Sequence, residues 1–243
     1  MADFAQKRTM EHFTESDDYA ARSGYVHPEQ DPIILDFIKH RCSQASKVLE
    51  VGGGSGYMLD LVASHAGISN LYNCELVAHA YRQQVNEHIN LVGGDACHLP
   101  FKDGTFDFLI AKNLLHHLVG MTRGRSKKKA GDAIREFKRV VRKGGYIVLL
   151  EQYNEHEFFA SALFYISLLF SFLNISIRWF GWNRKVIVSF LTPQQIKSLF
   201  AESGMRIELL RCYPLAVPRR LKYTLLMSKI GRMLLVATRD GIT

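Results

Sequence analysis

The chain has 243 residues, a formal net charge of +8, 47% hydrophobic residues and four scattered cysteines (Cys42, Cys74, Cys97, Cys212). That length fits one α/β domain, with or without a small cap, and the apolar content excludes a disordered chain. Without a C-x-x-C pair, the cysteines exclude a disulfide scaffold and a zinc site and read as reduced thiols.

The start, Met-Ala-Asp-Phe, has neither a basic region nor an apolar run, so no signal peptide is expected and the predicted location is cytoplasmic. Residues 1 to about 30 have no clean period, although Phe4, Met10, Phe13 and Tyr19 can line one irregular helical face. Asp31-Pro32 opens a helix, with Asp31 as N-cap and Pro32 in the first turn. From residue 46 apolar strands alternate with amphipathic helices, the pattern of a parallel sheet wrapped by helices. The strands are 47–51, 71–74 ending at Glu75, about 88–93, 106–111, 146–150 ending at Glu151, about 205–212 and about 232–238. Helices are predicted at about 56–66 and at 193–203, the latter opened by Thr192-Pro193.

The densest signal is Glu50-Val51-Gly52-Gly53-Gly54-Ser55-Gly56-Tyr57 at the end of the first strand. A glycine-rich turn lets a ligand approach backbone where a Cβ would collide, and the following helix aims its N–H groups at that ligand. The dinucleotide pattern G-x-G-x-x-G fails, because its last position is Tyr57. The Glu-x-Gly-x-Gly-x-Gly run resembles motif I of the class I S-adenosylmethionine-dependent methyltransferases, in particular the type-11 small-molecule group. Lys112-Asn113-Leu114-Leu115-His116-His117-Leu118 and Arg139-Val140-Val141-Arg142-Lys143-Gly144-Gly145 resemble the same group, which is matched closely over about 45–151.

The implied fold is a Rossmann-like, seven-stranded, mostly parallel α/β sheet with helices on both faces. It forms a single domain, with an N-terminal cap (1–45), a cofactor-binding core (46–151), an apolar helical lid or insertion (152–190) and a closing segment (191–243). The implied cofactor is S-adenosyl-L-methionine, leaving as S-adenosyl-L-homocysteine, with no metal. Glu75 lies 19 residues past Gly56, near the offset at which an acid accepts the ribose hydroxyls. The resemblance places Asp95 at the adenine amine with Ala96 beside it. Leu76, Lys112 and Asn113 complete the cofactor set with Glu50, Gly52, Gly53, Gly54, Gly56, Tyr57 and Glu75. In that family the N-terminal piece covers the cofactor and substrate mouth, which makes Tyr19, Tyr25 and His27 substrate candidates as well as packing residues.

Methyl transfer needs a base only when the nucleophile keeps a proton at neutral pH, as a hydroxyl does. His117 or His116, oriented by Glu151 on the neighbouring strand, can supply one, with His117 the first choice; the alternative is that both histidines only pack. The run Phe158–Ile177 contains no charge. Ser167, Ser171, Asn174 and then Arg178 recur at helical spacing on one face, so the run reads as an amphipathic cap. Its apolar face is read as a substrate roof, a homodimer interface or a membrane surface, with Trp179 and Trp182 among basic residues as an interfacial anchor. The segment Met121–Lys143 holds ten basic residues and two acids, an excess equal to the net charge. It reads as a solvated face, with anionic lipid, an acidic substrate or RNA as other partners.

The leading expectation is therefore O-methylation of a small hydrophobic or lipid-like acceptor, by a cytoplasmic or membrane-peripheral enzyme. An RNA or protein methyltransferase docking through 121–143 and a non-catalytic cofactor-binding partner subunit are the alternatives. Nucleic acid is disfavoured by the lack of an aromatic platform.

Overall fold

A computed structural model describes residues 4–14, 27–77, 85–176, 186–215 and 229–240. In chain order the elements are α1 (Phe4–Thr14), α2 (Asp31–Lys39), β1 (Lys47–Val51), α3 (Tyr57–Ala66), β2 (Asn70–Glu75), β3 (Asn90–Gly93) and β4 (Phe106–Lys112). A 3₁₀ turn at Leu115–His117 follows, then α4 (Arg123–Val140), β5 (Val141–Asn154), α5 (Glu157–Phe172), α6 (Pro193–Glu202), β6 (Arg206–Pro214) and β7 (Ile230–Thr238).

The strands form one open sheet in the order β3-β2-β1-β4-β5-β7-β6, antiparallel where β7 meets β5 and β6 and parallel elsewhere. The central strands are apolar on both faces because helices cover both. Leu49, Leu109, Ile147 and Leu149 pack with Ala133, Ile134 and Phe137 of α4 and Phe200 of α6. Their strand neighbours Val48, Ile110, Val148 and Leu150 pack with Ile34 and Ile38 of α2 and Leu59 and Val62 of α3. This is the period-two alternation of a strand buried on both sides. The chain crosses from β1 to β2 on one side and from β4 to β5 on the other, which opens a cleft between β1 and β4 at the carboxyl ends of the strands.

Local chemistry sets the element ends. Thr192 and Gln195 close a capping box at α6, and Thr122 accepts from the Arg125 N–H at α4. Gly56 at the start of α3 has φ +79°, a conformation for which glycine is suited.

Several expectations are corrected. Gln30, not Asp31, is the N-cap of α2; Asp31 sits in the first turn and accepts from the His27 N–H at 2.8 Å. Strand β5 does not end at Glu151: its pairing with β4 stops at Leu150, but β7 carries the ladder on to Asn154. The apolar helix α5 is 16 residues long, and no helix among the described residues is long and apolar enough to cross a membrane.

Helix α5 turns its serine face to the protein and its apolar face outward, which does not fit the substrate-roof reading. Ser167 and Ser171 are buried with Ala160, Leu163 and Phe164, while Phe158, Tyr165, Leu169 and Phe172 are exposed. Small side chains allow close approach to the body of the protein, and the Ser167 hydroxyl donates to the Phe164 carbonyl at 2.8 Å, so it needs no water. Asn174, beyond the helix, is exposed.

Much of the basic segment is α4, and several of its cations hold the fold. Arg139 reaches Glu136, Asp103 and the carbonyls of Leu99 and Phe101, while Arg142 pairs with Asp107.

Candidate active site

The cleft contains a cavity of about 1070 Å³, at the top of the ~300–1,000 Å³ range usual for small-molecule sites. Its floor is the carboxyl end of the sheet, where Glu50, Gly52, Gly53, Glu75, Leu76, Asp95, Lys112, Asn113, His116 and His117 line it. Gly54, Gly56, Tyr57 and Ala96 are not among the lining residues.

The glycine loop is tightly set. Gly52, Gly54 and Gly56 all have positive φ. A Cβ on Gly53 would lie 2.6 Å from the Glu50 carboxylate and 2.7 Å from Asn73 Oδ1. Asn73 Nδ2 donates to the Gly54 carbonyl, and the Gly54 N–H donates to Glu75 Oε2. Glu75 Oε1 accepts from the N–H groups of Leu76 and Val77 at 2.8 and 3.1 Å. Asp95 Oδ1 accepts from the Cys97 N–H at 2.9 Å.

Glu50 is buried, and burial raises its pKa to about 8 against the opposing pull of Lys112. Its Oε2 has no hydrogen-bond partner among the described residues. Lys112 is engaged from below by Asp31 at 2.6 Å. Asn113 takes an uncommon φ of +51° and donates to His27 Nε2 at 3.1 Å. His27 is itself buried and absent from the cavity wall, and burial with the nearby Arg232 and Lys112 lowers its pKa to about 4. Its place is therefore structural support beneath Asn113. Tyr19 and Tyr25 lie outside the described residues.

The two histidines separate clearly. The two rings lie side by side, with centroids 4.0 Å apart and tilted by 45°, but they take different partners. Glu151 bonds His116 Nδ1 through Oε1, and its Oε2 accepts the Leu115 N–H at 2.6 Å. His116 stacks on Phe190 with ring centroids 5.2 Å apart. His117 instead meets the edge of Phe13 at 4.9 Å, and its Nδ1 has no partner among the described residues. Burial first, then the neighbouring His116 and His12, holds the His117 pKa well below the ordinary histidine value. The carboxylate thus pairs with His116, not with the first-choice His117.

The roof of the cavity is α1, through Gln6, Thr9, Met10, His12 and Phe13. Met10 and Phe13 belong to the helical face read from sequence; Gln6 completes the 4,3 spacing and was missed because it is polar. One wall is α4, through Arg125, Lys128, Lys129 and Asp132. No residue of α5 lines the cavity among those described.

Residues 49–149 match the type-11 family model described as a methyltransferase domain. Over these residues the chain is similar to the class I, type-11 S-adenosylmethionine-dependent methyltransferases. Two curated relatives match the chain. Ubiquinone/menaquinone biosynthesis C-methyltransferase UbiE of Dinoroseobacter shibae is 28% identical over 138 residues, covering 53% of this chain and 50% of that protein. The uncharacterized methyltransferase YcgJ of Bacillus subtilis is 26% identical over 137 residues, covering 54% and 51%. The chain spans about half the length of the curated relatives it matches. Among solved structures, geranyl diphosphate C-methyltransferase from Streptomyces coelicolor, in complex with Mg²⁺, geranyl diphosphate and S-adenosyl-L-homocysteine, shares the fold. Its TM-score is 0.66 at 10% identity, covering 98% of this chain and 99% of that one.

Proposed function

We propose that this protein transfers a methyl group from S-adenosyl-L-methionine to a hydroxyl of a small apolar or lipid-like acceptor, with His116 as the base. The cradle fits such a cofactor: the turn at Gly52 and Gly53 leaves no room for side chains, and Glu50 and Glu75 present carboxyl groups beside it. Glu75 and Asp95 would hold the ribose and adenine, with Leu76 along the base. The cofactor, when bound, supplies an electrophilic methyl carbon on a sulfonium. The protein's task is then to bring a nucleophile into line in a dry pocket.

The observation that carries the reading is His116 on the cavity wall, paired with the buried Glu151 behind it. Glu151 is fixed through both oxygens, and as a carboxylate it keeps the proton on His116 Nδ1. That leaves Nε2 with a lone pair able to accept a proton from a hydroxyl. Met10, Phe13, Leu114, Leu118 and Val119 give the acceptor end an apolar lining.

A second reading, methylation at carbon, is favoured by the printed names of the Dinoroseobacter and Streptomyces relatives, and the same histidine would serve it. Both readings are tested by transfer of label from methyl-labelled S-adenosylmethionine to a panel of hydroxylated isoprenoids and quinols. Product fragmentation distinguishes oxygen from carbon. His116→Ala should lower kcat by about 10²–10⁴-fold while S-adenosylhomocysteine binding is retained. Near-normal turnover by that variant would remove the base assignment.

A further inference from the structure

Helix α5 presents an exposed apolar stripe. Phe158, Tyr165, Leu169 and Phe172 follow at spacings of 7, 4 and 3 residues, one face of a helix, and are 74%, 50%, 51% and 71% exposed. Leu173 and Ile175 extend the stripe past the end of the helix. Scattered exposed apolar residues are ordinary, but a contiguous stripe marks a surface that something covers.

Its surroundings indicate what that is. Helix α1 joins α5 on one side, where Ala5 packs with Phe164 and the Phe4 ring meets Phe172 at 6.0 Å. On the other side α1 joins α4, through Lys129 Nζ to Gln6 Oε1 at 3.0 Å. The first turns of α4, Arg123–Lys129, contain five cations and no acid. Cations there oppose the positive end of the helix dipole, so the sequence places them against local helix stability. Exposed Lys7 on α1 and Arg125 on α4 make no ion pair among the described residues. The sequence adds to the asymmetry, since no Asp or Glu occurs between Phe158 and Ala201.

From this juxtaposition we infer that the outer face of α5, with the basic residues of α1 and α4 beside it, docks on the surface of an anionic phospholipid bilayer. The apolar side chains enter the boundary between headgroups and acyl chains, and the cations meet the lipid phosphates. Helix α1 is shared by this surface and by the cavity roof, so docking brings the roof to the membrane. A lipid-like acceptor then reaches the cavity beside α1 without crossing water. Only this last step rests on the proposed acceptor class; the docking itself does not.

The test is co-sedimentation of the full chain with vesicles of phosphatidylcholine alone and of phosphatidylcholine mixed with phosphatidylglycerol. Binding is expected to the mixed vesicles only, and to weaken as salt is raised through screening. Phe158→Ser with Leu169→Ser should cut partitioning by about tenfold or more, the scale of two large side chains no longer buried. Lys7→Glu with Arg125→Glu should abolish the preference for anionic vesicles. These positions are exposed, and an unchanged thermal melt confirms that the variants fold. No pelleting of the wild type at low salt, or pelleting that the serine pair leaves unchanged, overturns the inference. So does a dimer in sedimentation velocity that the serine pair dissociates without any vesicle binding, which would assign the face to a second copy. Titration with S-adenosylhomocysteine reads the cofactor cleft independently, so failure of the surface and failure of the enzyme reading are separable.

Discussion

At the scale of single residues, the site depends on where two carboxylates are fixed. Glu75 collects the N–H groups of Gly54, Leu76 and Val77, so it ties the glycine loop to the end of β2 as well as facing the cavity. Glu75→Ala should weaken S-adenosylhomocysteine binding by about 1–3 kcal/mol, the scale of hydrogen bonds to a charged group, as read by calorimetry. Unchanged affinity would take the carboxylate out of the cofactor contact. Glu151 orients His116 without contacting the cavity itself. Glu151→Gln should therefore cost less in kcat than His116→Ala and leave cofactor affinity alone. A rate loss equal to that of His116→Ala would give Glu151 more than an orienting role. The sequence pointed to this pair of strand ends, because His116, His117 and Glu151 all fall just past apolar runs. It could not choose between the histidines, since adjacent residues share the same sequence context and only the folded turn sets His116 against Glu151.

At the scale of elements, the sheet was legible because its strands are near-continuous apolar runs, and the β1 loop because glycine there answers a steric demand. Helix α5 was legible as an amphipathic helix, while which of its faces meets the protein stayed open. Serine next to leucine and phenylalanine suits a solvent face, yet Ser167 can satisfy its hydroxyl on the helix backbone and so be buried. The α1 roof was half legible, through Met10 and Phe13, and ambiguous where polar Gln6 and Thr9 complete it. The end of α4 shows how a basic run can be structural. Arg139 joins Glu136 and Asp103 to the carbonyls of Leu99 and Phe101, linking α4 to the segment between β3 and β4. Arg139→Ala should destabilise the fold by about 1–3 kcal/mol in urea unfolding, because it strands several acceptors at once. A loss below about 0.5 kcal/mol would place the cluster with ordinary surface ion pairs.

At the scale of the whole molecule, the buried ionisable groups set the pH dependence. Glu50 in the folded chain has its pKa raised from 4.5 to about 8, so between those values the folded state holds a proton that the unfolded state lacks. Its stabilising effect is full below the lower value and is lost as pH rises through about 8. His27 works in the opposite sense: lowered from 6.5 to about 4, it removes stability on acidification across that window. In the ligand-free protein, Glu50→Gln should therefore gain in Tm relative to wild type as pH rises from 5 to 8, at roughly 2–4 °C per kcal/mol. A Tm difference that stays constant with pH would show that Glu50 does not titrate there.

Under the proposed function, the cleft over β1, β2 and β4 delivers a methyl group to an apolar acceptor beneath α1. The most direct test gives the protein methyl-labelled S-adenosylmethionine together with a cell extract, then separates lipid, protein and RNA. Label should appear in the lipid fraction, fall sharply with His116→Ala and be reduced with Glu75→Ala. Label in protein or RNA, with none in the lipid fraction, would contradict the claim.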